Sequence, residues 1–315
     1  MKTTLLPTQA GISRVNLFLA LSRTPHLLLD LAAPGLAALL CLGTLGTIPS
    51  VKFLVLGFIT AFSGYTAVYA LNDIVDYRVD REIIHPDAVS GSKPDLDNVF
   101  IRHPLAQGLL SYRDALIWMV SWASLAMAGA FLLNPVCPFI FLLASLLEII
   151  YCYLLKITYL RSMISGIVKT SGPVAAVFAV TPDPSPLFLV MLFLWLFFWE
   201  IGGQNIPNDL SDMDTDQKIR ARTIPVQFGV HRAIGIILLS LWIAMVLSLA
   251  IYWTLPGQPG LLYLPGAFLS GLYFLLLPGY RLYRFKTAGD ALHLFNRASW
   301  YPLSMLTVIA LHWLV

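Results

Sequence analysis

The amino-acid sequence predicts an all-α integral membrane protein, a bundle of about nine transmembrane helices around a cavity that opens at the cytoplasmic face. Three observations predict it. Of the 315 residues, 58% are apolar and 12% are charged, about half the charged share of an ordinary soluble domain. Apolar runs of roughly 20 residues recur along the chain, each long enough to cross a hydrocarbon slab of about 30 Å. The basic residues gather in alternate connections and avoid the others. The length alone allows one domain or two, but an unbroken series of spans favours a single membrane-embedded domain over 1–315.

In chain order the spans fall near 25–46, 51–72, 113–133, 136–155, 163–181, 186–206, 230–254, 261–280 and 293–314. Proline and glycine mark the turns at Pro49, Asn134-Pro135, Pro182-Asp183-Pro184 and Pro256-Gly257-Gln258-Pro259-Gly260. Connections near 47–50, 134–135, 182–186 and 255–260 are short and almost uncharged, whereas those near 73–112, 156–162, 207–229 and 281–292 are longer and charged. Lys2, Arg14 and Arg23 precede or open the first span. Arg78, Arg81, Lys93, Arg102 and Arg113 follow the second, and Lys156, Arg161 and Lys169 follow the fourth. Lys218, Arg220, Arg222 and Arg232 follow the sixth, and Arg281, Arg284, Lys286 and Arg297 the eighth. A nine-span chain puts all of these on one side and only Lys52 on the other. The positive-inside rule makes that side, with the N-terminus, cytoplasmic. The first 16 residues lack a compact apolar stretch and a small-residue cleavage site, so the N-terminus is read as mature sequence, in keeping with a prokaryotic inner membrane. Cys41, Cys137 and Cys152 lie in apolar runs without metal-ligand or CxxC spacing, and are read as buried small side chains rather than a disulfide framework.

Most of the 17 acidic residues occupy two of the charged loops or their borders. Asp73, Asp76, Asp80, Glu82, Asp87, Asp95, Asp97 and Asp114 follow the second span, and Asp209, Asp212, Asp214 and Asp216 follow the sixth. Within them one pattern occurs twice. Asn72-Asp73-Ile74-Val75-Asp76-Tyr77-Arg78-Val79-Asp80 and Asn208-Asp209-Leu210-Ser211-Asp212-Met213-Asp214-Thr215-Asp216 both read N-D-apolar-x-D-x-x-x-D. Positions i, i+3 and i+7 share one helix face, since each residue turns the chain by about 100°. Each motif therefore aims three carboxylates in one direction at the end of a span. Three like charges on one face repel unless a cation neutralises them, and hard oxygen ligands suit Mg²⁺, which bridges carboxylates and phosphate oxygens. One such motif alone reads as a solvated helix cap. Two copies on the same membrane side read as two jaws around a diphosphate, and that placement argues against an inverted-repeat transporter.

At these residues the sequence resembles the UbiA superfamily of intramembrane prenyltransferases. Asn72 to Asp80 resembles the family's NDxxDxxxD, and Asp209 to Asp216 its second DxxDxxxD. Arg102-His103-Pro104-Leu105-Ala106-Gln107-Gly108 is similar to its N-R-P-L-x-x-G stretch, and Tyr151-Cys152-Tyr153-Leu154-Leu155-Lys156 to its Y-x-x-x-K-R stretch. Arg222-Thr223-Ile224-Pro225-Val226-Gln227-Phe228-Gly229 resembles the K-T-x-P-V-x-x-G tail. The resemblance runs through roughly the first seven spans. Ile157 stands where many relatives carry Arg, His103 alters the usual Arg-flanked context, Arg222 replaces Lys, and the loop from Ile83 to Ile101 is longer than in compact relatives.

The resemblance implies an allylic prenyl diphosphate as donor, Mg²⁺ as cofactor (two or more ions bridging the diphosphate), and a bilayer around the protein. The acceptor is an aromatic or other lipid-pathway molecule that the sequence does not identify, and no nucleic acid is expected. Ionisation leaves negative charge on the diphosphate, which metal ions stabilise. Metal ligation falls to Asp73, Asp76, Asp80, Asp209, Asp212 and Asp216, with Asp73, Asp76, Asp209 and Asp212 at the catalytic centre. Asn72 and Asn208 orient carboxylates or donate to phosphate, and Arg102, Lys156, Lys218 and Arg222 are candidate phosphate contacts. Tyr65, Tyr69, Tyr151, Tyr153, Trp195 and Trp199 are candidate shields for an allylic cation. Glu200 lies inside the sixth span, where an ionisable group is costly unless it faces a polar cavity. It reads as a catalytic residue that binds the acceptor or removes its proton, with Gln204 and Asn205 as neighbours. Glu148 and Asp30 are weaker cases of the same kind, and His26 and His103 fall near the expected cavity mouth. A membrane terpene cyclase would use the same acid motifs without an external acceptor.

Overall fold

A computed structural model of the chain describes residues 13–45, 50–83, 96, 101–255, 260 and 262–314. Lys2, Pro49, Asp87, Lys93, Asp95, Asp97 and most of the 256–260 turn, all used in the sequence reading, lie outside the described residues. Every regular element among the described residues is helical. In order these are α1 (Arg14–Leu21), α2 (Thr24–Asp30), α3 (Ala32–Leu45), α4 (Val51–Val75), α5 (Tyr77–Ile83), α6 (Tyr112–Leu133), α7 (Val136–Tyr153) and α8 (Arg161–Val180). Then follow α9 (Pro186–Trp199), α10 (Ile206–Ser211), α11 (Met213–Lys218), α12 (Ile224–Ala250), α13 (Tyr263–Gly271), α14 (Leu277–Phe285), α15 (Ala288–Ala298) and α16 (Tyr301–Leu314).

Seven stretches are long and apolar enough to cross a bilayer: Thr24–Gly43, Val51–Val75, Tyr112–Leu133, Val136–Lys156, Arg161–Val180, Pro186–Ser211 and Ile224–Thr254. They coincide with the first seven expected spans, with ends moved by a few residues. The protein is an integral membrane protein on this ground, and its outer faces agree. Phe131, Leu132, Phe139, Leu142, Leu143 and Leu146 are all exposed, a contiguous apolar surface that lipid rather than water would cover. The last two expected spans are built differently. α13 and α14 run together through a π-turn at Leu272–Leu276. The expected 293–314 span is split: α15 is amphipathic, with Ala291, Leu294, Phe295 and Ala298 buried, and Pro302 at the second position of α16 can only start a new helix. The 14 residues of α16 are roughly 21 Å long.

The sixth span is also broken. α9 passes into a π-turn, Glu200–Asn205, and then into α10. Pro207 has no N–H to give the Gly203 carbonyl four residues earlier, and the Gln204 side-chain amide donates to that carbonyl instead (3.2 Å). Gly202 presses this turn onto α12: a Cβ there would stand 2.9 Å from the Ile237 carbonyl oxygen. The turn is thus tied to its neighbours, and all six of its residues are buried.

The main core packs α3, α9, α12 and the C-terminal helices around Trp195, Trp199, Leu241, Tyr263 and Tyr301. Trp195 donates to the Tyr301 hydroxyl (3.1 Å) and Trp199 to the Ala298 carbonyl (2.9 Å). A buried indole must find an acceptor for its N–H, so these two tryptophans serve the core and not the cavity for which they were candidates. A smaller core joins Leu17, Leu21, Ala70, Ile74, Leu105, Leu110 and Ala115. Burying Leu105 and Leu110 contributes about 1.5–3 kcal/mol each and fastens the 101–110 turn across α1, α4 and α6.

Candidate active site

Both acid motifs straddle a helix break. Asp76 lies between α4 and α5, with its N–H donating to the Asn72 carbonyl (2.9 Å) and its carbonyl accepting from Asp80 (2.9 Å). Asp212 lies between α10 and α11 at φ −101°, ψ 9°. Its N–H donates to Asn208 (3.1 Å) and its carbonyl accepts from Asp216 (3.0 Å). The i→i+4 bonds survive both breaks, so the shared face read from the spacing is kept. Asn72, Asp76, Asp80, Asn208, Asp209, Asp212 and Asp216 line one end of a single chamber of about 490 Å³.

Each motif has its own cation. His103 Nδ1 stands 2.8 Å from Asp73 Oδ1 and 2.9 Å from Asp80 Oδ2, so His103, not Asp73, meets the chamber. The His103 backbone is left-handed (φ 48°), a strain of about 1–3 kcal/mol for a non-glycine residue. The turn holds it there: Gln107 N–H donates to the His103 carbonyl (3.1 Å) and Leu109 N–H to the Pro104 carbonyl (3.0 Å). In the second motif Arg161 Nη1 lies 3.5 Å from Asp209 Oδ1, and its guanidinium sits 4.0 Å from the Tyr151 ring centre. Arg102 donates to Asp212 Oδ2 (2.7 Å) and the Thr223 hydroxyl to Asp216 Oδ2 (3.1 Å). Arg23 donates to Asn72 Oδ1 (3.0 Å), and Asn72 in turn to Glu148 Oε1 (2.7 Å).

Burial, reinforced by the Asp80 charge, pushes the Asp76 carboxyl up to about 6. Burial does the same for Asp216, against the Thr223 hydrogen bond, again to about 6. Burial alone would lower His103, but the Asp80 and Asp73 carboxylates outweigh it and raise the imidazole to about 9. Among these acids Asp73 Oδ2, Asp80 Oδ2 and Asp209 Oδ2 are buried without a hydrogen-bond partner, Asp80 Oδ2 having only its ion-pair contact with His103. An orphaned buried acceptor costs about 1–3 kcal/mol, a demand that a cation coordinated at each oxygen removes. Ligand atoms of Asp73, Asp80 and His103 all lie within 4.8 Å of one another. The carboxylate oxygens of this set suit a hard divalent cation such as Mg²⁺, while the His103 imidazole serves them as counter-charge and is not one of its ligands.

Deeper in the chamber lies a second polar group. Lys169 Nζ is 2.5 Å from Asp30 Oδ2 and donates to the Tyr69 hydroxyl (3.0 Å), which itself donates to Asp30. Glu200 accepts from the Ser165 hydroxyl at Oε1 (2.7 Å), while its Oε2 is buried without a partner. Glu200, Gln204 and Asn205 all line the chamber. Gln204 is committed to the fold, donating to the Phe295 carbonyl (3.2 Å) and accepting from Ser299 (3.2 Å). Asn205 donates to the Tyr151 hydroxyl (3.1 Å). Tyr65, Tyr69 and Tyr151 line the wall as expected.

Four sequence-predicted contacts lie outside the chamber lining. Tyr153 is 69% exposed on the outer face of α7, because it is two residues, about 200°, from the inward-facing Tyr151. Lys156 ends a 3₁₀ turn, Leu154–Lys156, and pairs outward with Glu82 (2.6 Å). Lys218 is exposed, and exposed Arg222 donates to the Ile157 carbonyl (3.2 Å). Arg161 and Lys169, which follow the charged loop in sequence, both belong to α8 and line the chamber. Their signal was available: Lys169 falls inside an apolar run, where an unpaired charge is untenable.

Fold and site together define an intramembrane helical chamber with two carboxylate motifs at one end. The chain belongs to the UbiA prenyltransferase family, whose model matches residues 31–301. It is 27% identical over 244 residues to a 4-hydroxybenzoate octaprenyltransferase of a Shewanella strain, covering 76% of this chain and 74% of that one. It is 30% identical over 224 residues to a digeranylgeranylglyceryl phosphate synthase of Methanosarcina barkeri, covering 70% of each. Among solved structures, an apo UbiA homologue from Aeropyrum pernix K1 matches with TM-score 0.69 and 18% identity over 90% of this chain and 97% of that chain. A homologue from Archaeoglobus fulgidus bound to DMAPP and Mg²⁺ matches with TM-score 0.62 and 18% identity over 93% and 99%. The protein is a prenyltransferase.

Proposed function

We propose that this prenyltransferase moves the prenyl group of an allylic prenyl diphosphate onto an acceptor held inside the membrane. One observation carries the reading: two carboxylate motifs and three arginines, Arg23, Arg102 and Arg161, meet at the head of a chamber whose remaining walls are mostly apolar. A diphosphate needs neutralising charge and an isoprenoid tail needs an apolar sleeve. The lining extends from Asp76, just past the end of α4, back along that helix to Phe53, roughly 35 Å at helical rise. The Mg²⁺ and DMAPP of the Archaeoglobus homologue support the same use of these acids.

In this reading Asp73, Asp76, Asp80, Asp209, Asp212 and Asp216 hold Mg²⁺, which supplies Lewis-acid charge to the leaving diphosphate. The arginine forks bind diphosphate oxygens, and Asn72 and Asn208 orient the carboxylates beside them. The bond between C1 and oxygen breaks with its electron pair going to diphosphate. Tyr65, Tyr69 and Tyr151 keep water from the allylic cation and offer it their ring faces. An electron pair of the acceptor forms the new bond to C1, and the acceptor's proton passes to Glu200 Oε2. The chain is one domain with nine spans, the α13–α14 and α15–α16 pairs completing the bundle, and its acid-bearing end faces the cytoplasm of a prokaryotic inner membrane.

The test uses purified protein in detergent with radiolabelled prenyl diphosphates of several lengths, Mg²⁺ or EDTA, and Asp73→Ala and Asp209→Ala variants. Mg²⁺-dependent donor binding, lost in both variants, with little turnover until an acceptor is added, is expected. A cyclic hydrocarbon formed without acceptor would replace the reading with a cyclase, and no Mg²⁺-dependent binding of any donor would overturn it.

A further inference from the structure

We infer that the acceptor is an uncharged molecule carrying a hydrogen-bond-donating hydroxyl, of the phenol or enol class, and that acceptors bearing a carboxylate or phosphate are disfavoured. The inference rests on the transfer reading above and concerns the deep half of the same chamber.

The chamber's cations are already matched. Arg102 is paired with Asp212, Arg161 with Asp209, and Arg23 is bonded to Asn72, all at the acid-bearing end where the diphosphate belongs. Lys169 follows Arg161 by two helical turns, about 12 Å along α8, and faces the deep half, with the Arg23 guanidinium over the Tyr69 ring (5.6 Å) at its border. Its ammonium is held by Asp30 at 2.5 Å and by Tyr69 at 3.0 Å. Against that single ion pair stands a second carboxylate, Glu200, which is 5% exposed and within coulombic range of both Lys169 and Asp30. His26 completes the group, its Nε2 3.6 Å from Asp30 Oδ1. The deep half therefore holds two carboxylates, an ammonium and an imidazole, with a guanidinium at its border, and both of these cations are already bonded, Lys169 to Asp30 and Arg23 to Asn72.

Glu200 Oε2 has no partner and lies on the chamber wall. It is an acceptor that lacks a donor. A hydroxyl supplies the missing hydrogen bond. A carboxylate or phosphate supplies none, and brings a like charge into a water-poor space where repulsion is weakly screened. Sites that hydrogen-bond a substrate hydroxyl discriminate strongly against ligands that cannot make the bond. Tyr65, Tyr69 and Phe295 line the same stretch and present flat faces to a ring. The chemistry is unchanged: the bond forms at C1, diphosphate leaves with the electron pair, and the hydroxylic acceptor gives its proton to Glu200.

The experiment compares 4-hydroxybenzamide with 4-hydroxybenzoate, which share a ring and a phenol and differ in charge. Binding of each radiolabelled probe is measured by equilibrium dialysis against protein in nanodiscs, loaded with Mg²⁺ and the unreactive donor geranyl S-thiolodiphosphate. The amide is expected to bind at least about tenfold tighter than the benzoate, and Glu200→Gln to bring that ratio to within about threefold by admitting the benzoate. Benzoate binding as tight as the amide, an unchanged ratio in Glu200→Gln, or no binding of either probe to donor-loaded protein would overturn the inference while leaving the transfer reading intact. If the thiolodiphosphate itself fails to bind, the transfer reading falls first.

Discussion

The two acid motifs are alike in sequence and unlike in their surroundings. The first is clamped by His103, whose side chain is 13% exposed and whose backbone is strained on a short turn. The second is clamped by Arg161, 7% exposed, built into the first turn of α8 and covered by the Tyr151 ring. Each motif still leaves buried carboxylate oxygen without a hydrogen bond, Asp73 Oδ2 and Asp80 Oδ2 in the first and Asp209 Oδ2 in the second. A repeated pattern thus makes a repeated demand for positive charge, while the fold meets it with a titratable imidazole on one side and a permanent guanidinium on the other.

The sharpest way to break this comparison is to remove one orphaned acid at a time. Asp73→Asn and Asp209→Asn are each expected to lower turnover by about 10²–10³-fold, measured as Mg²⁺-dependent release of labelled diphosphate. A large loss in only one of them would mean that the motifs are not two halves of one site. Next come the clamps. Arg161→Met strands Asp209 as a buried unpaired charge, at about 3–5 kcal/mol, whereas His103→Gln keeps a hydrogen-bonding group at the partly accessible turn and costs about 1–2 kcal/mol. Thermal unfolding in detergent without Mg²⁺ reads the difference, and equal shifts would erase the distinction between fixed and adjustable clamps.

Acidity gives a smaller effect. Asp76 and Asp216 both titrate near 6 in the folded protein, above their ordinary value. A carboxyl whose pKa is raised by folding adds stability below its ordinary range near 4 and loses that contribution as pH rises through about 6. Metal-free protein is therefore expected to melt at higher temperature at pH 5 than at pH 7. Mg²⁺-dependent donor binding should move the opposite way, weakening below pH 6 as protons displace the cation. A pH-independent affinity between 5 and 7 would contradict the placement of these two acids, Asp216 buried and Asp76 partly buried. The smallest effect belongs to the outward-facing residues. Lys156→Met removes a pair in which both side chains are substantially exposed, so stability should change by less than about 1 kcal/mol and turnover by less than about twofold. A larger loss would return Lys156 to the site.

The spans were legible because a bilayer demands long apolar runs, and the acids were legible because helical spacing survived both breaks. What stayed hidden depended on rotation and on distant partners. Tyr151 and Tyr153 look equivalent in the string, yet a turn of about 200° sends one inward and the other to the exterior. Arg161 adjoins a charged loop and Lys169 lies two turns further along, and only the rotation of α8 shows that both face the chamber. His103 reaches the first motif through a turn whose position is set by Leu105 and Leu110 packing on α1, α4 and α6, a tertiary contact without a local signature. The division of the last expected span followed from Pro302, which is visible, and from the amphipathic face of α15, which a hydropathy window averages away.

The wide turn at Glu200–Asn205 has a consequence for helical phase. Nine residues separate Glu200 from Asp209, and on an uninterrupted α-helix nine steps amount to about 180°, placing the two carboxylates on opposite sides. A π-turn absorbs one additional residue, so the effective offset falls to about 80° and both acids meet the same chamber. Deleting one residue from this turn would let the helix close up and would rotate Asp209, Asp212 and Asp216 together, like a cam slipping one tooth, while Glu200 stayed where it is.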